Sequence, residues 1–109
     1  MKRCIVGLRH PDQAEAAPSP TGKVAPTVWF ASMASLAAVL SDDNRALLRV
    51  IHSAKPSTLT ELAALTGRKV PNLSRTVKTM AGYGLLELQR NSRDLRPIAL
   101  ATEFLVVLD

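Results

Sequence analysis

Residues 58–84, TLTELAALTGRKVPNLSRTVKTMAGYG, constrain this chain more than any other stretch, because they read as two short helices joined by a glycine turn. Thr58 and Glu61 have the spacing of a capping box. In that arrangement the threonine hydroxyl accepts from the amide three residues on, and the glutamate reaches back to the capping residue. Leu59, Leu62, Ala63 and Thr66 then recur at helical spacing on one face, and the small Ala63 leaves room for a second helix. Gly67 is the stop, since glycine adopts the left-handed conformation that ends a helix at little cost. Pro71 suits the first turn of the next helix, where its missing amide hydrogen has no intrahelical partner to lose. From residue 71 to about 83, Leu73, Val77 and Met80 fall on one face and are the expected core contacts.

At about 100° per residue, the face opposite Leu73 carries Arg75, Lys78 and Gly82, with Asn72, Ser74 and Thr79 on its flanks and nothing acidic. A helix with an apolar inner stripe and a basic, hydrogen-bonding outer face can approach phosphates and present donors to base edges in a major groove. The plain alternative is a solvated helix packed into a small domain. A hairpin pattern beyond the helix favours groove binding. Over residues 85–100, Leu86 and Leu88 alternate with Glu87 and Gln89, Arg90 to Asp94 supply a polar turn, and an apolar-rich segment returns. Pro97 places the returning strand at an edge, or makes it irregular there, because proline cannot donate to a ladder. Arg90, Arg93 and Arg96 gather at or near the tip, as in a wing that touches backbone or minor groove.

The segments WFASMASLAAVLSDDNRALLRVI, TELAALTGRKVPNLSRTVKTMAGYGLLEL and RPIALATEF together resemble the MarR-like winged helix-turn-helix regulators. More narrowly, they are similar to a family of short prokaryotic transcriptional regulators, some encoded beside toxin genes as antitoxins. The resemblance covers residues 24–109 and implies a mainly α fold with a small β-hairpin (α+β), a winged helix-turn-helix with additional N- and C-terminal strands. It also implies a toxin protein as a partner where the antitoxin role applies. Val70 and Pro71 are less polar than the start of many recognition helices, which shifts base reading towards Lys69, Asn72 and Arg75. Backbone contacts are expected from Arg68, Ser74, Thr76, Lys78, Thr79, Arg90, Asn91, Arg93 and Arg96, of which Thr76 borders the core face.

Charge is placed unevenly along the chain. The formal net charge is +5, yet from Arg45 to Arg96 ten Lys or Arg stand against Glu61, Glu87 and Asp94 alone. The basic stretch coincides with the helix pair and the hairpin. It favours a polyanion partner, double-stranded DNA first, although RNA or an acidic protein would also suit it. At 109 residues and 47% hydrophobic content the chain supports one modest core.

Ahead of the helix pair, residues 1–23 read as an N-terminal strand or tail, with Cys4, Val6 and Leu8 on one face, followed by a flexible linker, HPDQAEAAPSPTGK. Residues 24–30 have strand character. Ser32 caps a helix to about Leu40 with Met33, Leu36, Ala37 and Leu40 as its stripe. Ser41 caps another, in which Asp42 and Asp43 complement the helix dipole and Leu47, Val50 and Ile51 face inward until Pro56 helps end it.

Residues 104–108 are apolar at consecutive positions, so both faces of an extended strand would be hydrophobic. A strand of that kind needs a further layer or a second subunit. Residues 24–30, from the same or a second chain, are the expected pairing partner, and Phe104, Val106 and Leu108 the expected homodimer contacts. The alternative is a strand that completes a three-stranded wing sheet.

One cysteine allows no intrachain disulfide, and with no signal-peptide pattern or membrane-length apolar run the expected place is the cytoplasm. His10 and His52 belong to no metal-binding spacing, and no nucleophile, acid–base or phosphate-loop set suggests an enzyme; no cofactor or metal is expected. The reading that unites these features is a DNA-binding transcriptional regulator, working as a homodimer. The alternative is a winged-helix module that binds protein and leaves DNA alone.

Overall fold

The computed structural model describes residues 3–8, 27–91 and 94–108. In chain order the elements are β1 (Arg3–Leu8), β2 (Val28–Phe30), α1 (Met33–Val39), α2 (Asp42–Ala54), α3 (Leu59–Thr66), α4 (Val70–Gly82), β3 (Leu86–Asn91), β4 (Asp94–Ala99) and β5 (Glu103–Val107). The expected linker over residues 10–23, with His10, lies outside the described residues.

Each of the first three helices starts on the side chain that local chemistry favours. Ser32, Ser41 and Thr58 are extended residues whose hydroxyls accept from the Ser35, Asn44 and Glu61 amides at 3.1, 3.2 and 3.0 Å. Three orphan donors of helix first turns are thereby satisfied. Between α1 and α2, Asn44 Nδ2 donates to the Val39 carbonyl at 3.0 Å and Arg45 Nε to the Leu40 carbonyl at 3.0 Å. The start of one helix thus completes the end of the other. Arg45 also pairs with Asp42. Gly67 ends α3 at φ 74°, in the left-handed region where a side chain would be strained.

The core confirms the main apolar stripes and shifts two of them. Leu73, Val77 and Met80 are fully buried, as are Leu62 and Leu48. In α1 the buried residues are Leu36 and Val39, with Leu40 at its end, whereas Met33 is 49% exposed and Ala37 is exposed. In α2 Leu48 also joins Leu47 and Ile51 in full burial, and Val50 packs against the core only partly buried. Both differences are rotations of the stripe by roughly one position, within the arc that a helix of 3.6 residues per turn can turn inward.

The strands form two separate sheets. β3 and β4 make the expected antiparallel hairpin, paired from Leu86↔Ala99 to Asn91↔Asp94. The polar residues Arg90, Asn91 and Asp94 therefore lie in the strands and not in a turn, leaving 92 and 93, outside the described residues, between them. Pro97 sits opposite Leu88 in a two-stranded sheet, where β4 is an edge strand that tolerates a missing donor.

The second sheet is parallel, in the order β2-β1-β5, with β1 central. β5 pairs with β1, Cys4↔Phe104 through Val6↔Val106, rather than with β2 or with the wing as the sequence suggests. β1 can take this place because Cys4, Val6 and Leu8 supply one face while Ile5 and Gly7 leave the other apolar, the pattern of a strand in a parallel sheet. On the inner face Cys4, Val6, Val28 and Phe30 are buried and Phe104 packs against them. Burial pushes the Cys4 thiol up in pKa, offset in part by its hydrogen bond with Thr27. Phe30 stacks on Tyr83, with ring centroids 4.5 Å apart and planes 25° from parallel, so the parallel sheet is fastened to the end of α4.

Candidate nucleic-acid interface

α3 and α4 meet through the three-residue turn 67–69, and Leu59, Leu62, Leu73, Val77 and Met80 bury their inner faces. That burial fixes which side of α4 meets solvent. Pro71, Asn72, Arg75, Lys78, Thr79 and Gly82 are all exposed, and Lys69 is exposed at the cap position. No side chain caps the amino end of α4, and Pro71 occupies its first turn. Its positive dipole end therefore opens beside Lys69 without a competing carboxylate. Among the described residues no acid lies on α4, and neither Lys69, Arg75 nor Lys78 is held in an ion pair. The result is a basic stripe one helix long, supported from behind by fully buried side chains.

Several flanking side chains are partly committed to the protein. Arg68 is half-buried and its guanidinium donates to the Asp43 carbonyl at 3.0 Å, tying the turn to the start of α2. The Thr79 hydroxyl donates to the Arg75 carbonyl at 3.0 Å, which spends its proton within the helix. Ser74 and Thr76 are half-buried, and Thr76 lines a cleft with Ala38, Val39, Asn44, Arg75 and Thr79. Lys69, Asn72, Arg75 and Lys78 are the positions on this helix with the freest polar ends.

The hairpin divides its arginines. Paired residues of an antiparallel ribbon share a face, so Arg90 lies with Leu95, Leu88 and Pro97 on the side that runs down into the core. Arg96 lies with Gln89, Glu87 and Ile98 on the other side. Both are exposed, but they do not form one cluster. Arg93 lies outside the described residues, as does the side chain of Asn91. Arg96 is instead joined by two residues that sequence reasoning did not select: it shares a cleft with His52 and Lys55 at the end of α2. No sequence signal links these positions, since packing of β4 on α2 alone brings them together.

The residues expected to hold a second subunit are separated as well. Phe104 is half-buried against the core, whereas Val106 is 40% and Leu108 53% exposed, with Leu105 on the opposite face at 38%. Among the described residues no group of acids, histidines and cysteines could hold a metal, and no helix is long and apolar enough to cross a membrane.

A family model, HVO_A0114, matches residues 39–106, from the end of α1 into β5 and so across the helix pair and the hairpin. Two solved structures have the same winged-helix architecture. One is a predicted DNA-binding transcriptional regulator from E. coli, 20% identical with a TM-score of 0.52, over 63% of this chain and 74% of that one. The other is the AntR antimony-specific transcriptional repressor, 16% identical with a TM-score of 0.52, over 80% of this chain and 82% of that one. Both neighbours are regulators rather than enzymes. No curated protein matches the sequence.

Proposed function

Since this chain belongs to the HVO_A0114 family and folds as a winged helix, we propose that it is a DNA-binding transcriptional regulator that reads the major groove with α4. The observation that carries this reading is the exposed, acid-free face of α4, with Lys69, Asn72, Arg75 and Lys78 projecting from a fully buried base. Lys69, Asn72 and Arg75 read base edges; Lys78, Arg68, Ser74, Thr76 and Thr79 meet the backbone from the same helix and its turn. Arg90, Asn91, Arg93 and Arg96 extend the grip from the wing. A cytoplasmic place follows from such a role.

Selection of binding sites from a random duplex pool by the full chain tests the proposal. An enriched motif, bound with an affinity that falls steeply as salt rises, is the expected result. A protein-only interaction module predicts neither motif nor salt dependence. Within the same assay, Arg90 and Arg93 replaced together by alanine should weaken chosen and random duplexes alike and lower the salt slope by up to about two phosphate equivalents. An unchanged slope removes the wing from the contact surface.

The regulator acts as a homodimer held through β5, because one small domain reads only a few base pairs and two copies on a two-fold axis reach half-sites about one helical turn apart. Phe104, Val106 and Leu108 line that contact, with Phe104 also anchoring the strand to its own core. β5 supports this placement: among the described residues it pairs only with β1, and its exposed edge is apolar. Val106→Lys is the informative variant, since Val106 is 40% exposed and Phe104 is not separable from folding. Sedimentation at micromolar concentration should show a dimer for the unmodified chain and a monomer for the variant. A monomeric unmodified chain that stays monomeric on DNA refutes the arrangement.

A further inference from the structure

Among the described residues, β5 stands out as an edge strand without protection. β2 is three residues long, β3 carries Glu87, Gln89 and Arg90, and β4 carries Arg96 and Pro97. Short length, charge and proline are the usual guards of a sheet edge. Residues 102–108, TEFLVVL, have none of these beyond Glu103 near their start. β5 is bonded on one side, to β1, and the backbone groups that its alternate residues turn the other way form an open row.

Burial falls off towards that same edge. Val28, Val6 and Val106 form one register row on the inner face; Val28 and Val6 are buried, whereas Val106 is 40% exposed. In the neighbouring row Cys4 is buried and Phe104 half-buried. On the outer face Leu105 is also open, at 38%. Cover is thus lost on both faces of β5 at once, which points to a neighbour beside the strand rather than above it.

We propose that β5 pairs antiparallel with β5 of a second copy about a two-fold axis at Leu105, so that two three-stranded sheets become one continuous sheet. A strand that meets its own copy across such an axis, perpendicular to the sheet, must run antiparallel to it. An antiparallel edge on an otherwise parallel sheet is a common arrangement. With the axis at the middle of Glu103–Val107, Val106 stands opposite Phe104 of the second copy. The open row of Val28, Val6 and Val106 then continues into Phe104 and Cys4 of that copy and is apolar throughout. Glu103 falls opposite Val107 and away from the other Glu103, so no like charges meet. This pairing rests on the homodimer reading above and sets its geometry: one sheet fixes the two winged helices relative to each other, as reading two half-sites requires.

Sedimentation, amide hydrogen exchange and disulfide trapping of the full chain without DNA provide the test. Where the chain sediments as a dimer, consecutive amides from 104 to 107 should all exchange slowly. On dilution to monomer, or in Val106→Lys, one alternate set should speed up by at least about tenfold while the set bonded to β1 stays slow. Leu105→Cys should form an interchain disulfide on mild oxidation, because residues directly opposite in an antiparallel pair have Cβ atoms roughly 4.5–5.5 Å apart. Val107→Cys, two residues on along the same face, should not. Its two copies would lie about 14 Å apart along the strands, beyond the reach of a disulfide. Cys4 is buried and common to both variants, so it cannot produce a difference between them. A chain that is monomeric at every concentration refutes the homodimer reading and this pairing together. A dimer whose β5 exchange pattern is the same after dilution to monomer, or in which Leu105→Cys cross-links no faster than Val107→Cys, refutes the edge pairing alone. The exchange pattern is read on the unmodified chain, so it remains decisive if the cysteine variants fold poorly.

Discussion

Phe30→Ala should lower the stability of the fold by about 3–5 kcal/mol, measured by urea unfolding. Phe30 is 1% exposed and ends β2, two residues before the serine that caps α1. Its ring lies 4.5 Å from that of Tyr83, which closes α4 and is followed by Gly84 at φ 85° and by the fully buried Leu85. Removing the ring opens a cavity where three units meet: the parallel sheet, the last turn of α4 and the start of β3. Against a typical domain stability of about 5–15 kcal/mol, a loss of that size is a large share of the total. Phe30→Leu keeps most of the buried volume and should cost clearly less. A loss below about 1 kcal/mol for Phe30→Ala would mean that the parallel sheet adds little to the winged helix, contrary to the burial of Phe30 against Tyr83.

The parts of this fold that were legible in the sequence are those specified within a few residues. Thr58 as the cap of α3, Gly67, Pro71, and the spacing of Leu73, Val77 and Met80 each act through local hydrogen bonding or the 3.6-residue period, and each lies where that chemistry places it, although the Glu61 carboxylate does not return a bond to the Thr58 amide. Helix phase was less secure where the helix is short. With only seven residues in α1, Met33 and Ala37 fit an apolar stripe as well as Val39 does, and only packing chooses between them.

Strand partners were not legible at all for β5. Alternation tells which faces of a strand are apolar, not which strand it will meet, and the parallel union of residues 3–7 with 103–107 is a contact across nearly the whole chain. The wing arginines teach the same lesson on a smaller scale. Arg90 and Arg96 look like neighbours on a polar tip, but the register Gln89↔Arg96 and Arg90↔Leu95 sends them to opposite faces. What decided this was backbone pairing, to which side-chain polarity is nearly indifferent. The helix face proposed as the DNA reader was legible because it is the complement of a buried stripe; the cleft with His52, Lys55 and Arg96 was not, because it exists only after β4 has packed on α2.

Arg75→Ala should cost about 1–3 kcal/mol in binding to a selected site and relax the preference at one base position, with little loss on random duplex. The long guanidinium stands on the outermost stripe of α4, two positions after the buried Leu73, and it is free of ion pairs. Its planar fork can donate two parallel hydrogen bonds to one base edge, which a point charge cannot do. Lys78 lies one turn further on the same stripe and serves as the internal comparison. Lys78→Ala should weaken selected and random duplexes by the same factor and reduce the salt slope by about one phosphate equivalent. The two variants thus separate reading from gripping on one helix face, in a fold whose α4 base of Leu73, Val77 and Met80 neither substitution touches. If Arg75→Ala instead behaves as Lys78→Ala is expected to, losing affinity evenly across sequences, then α4 lies against the backbone and base reading belongs to another part of the chain.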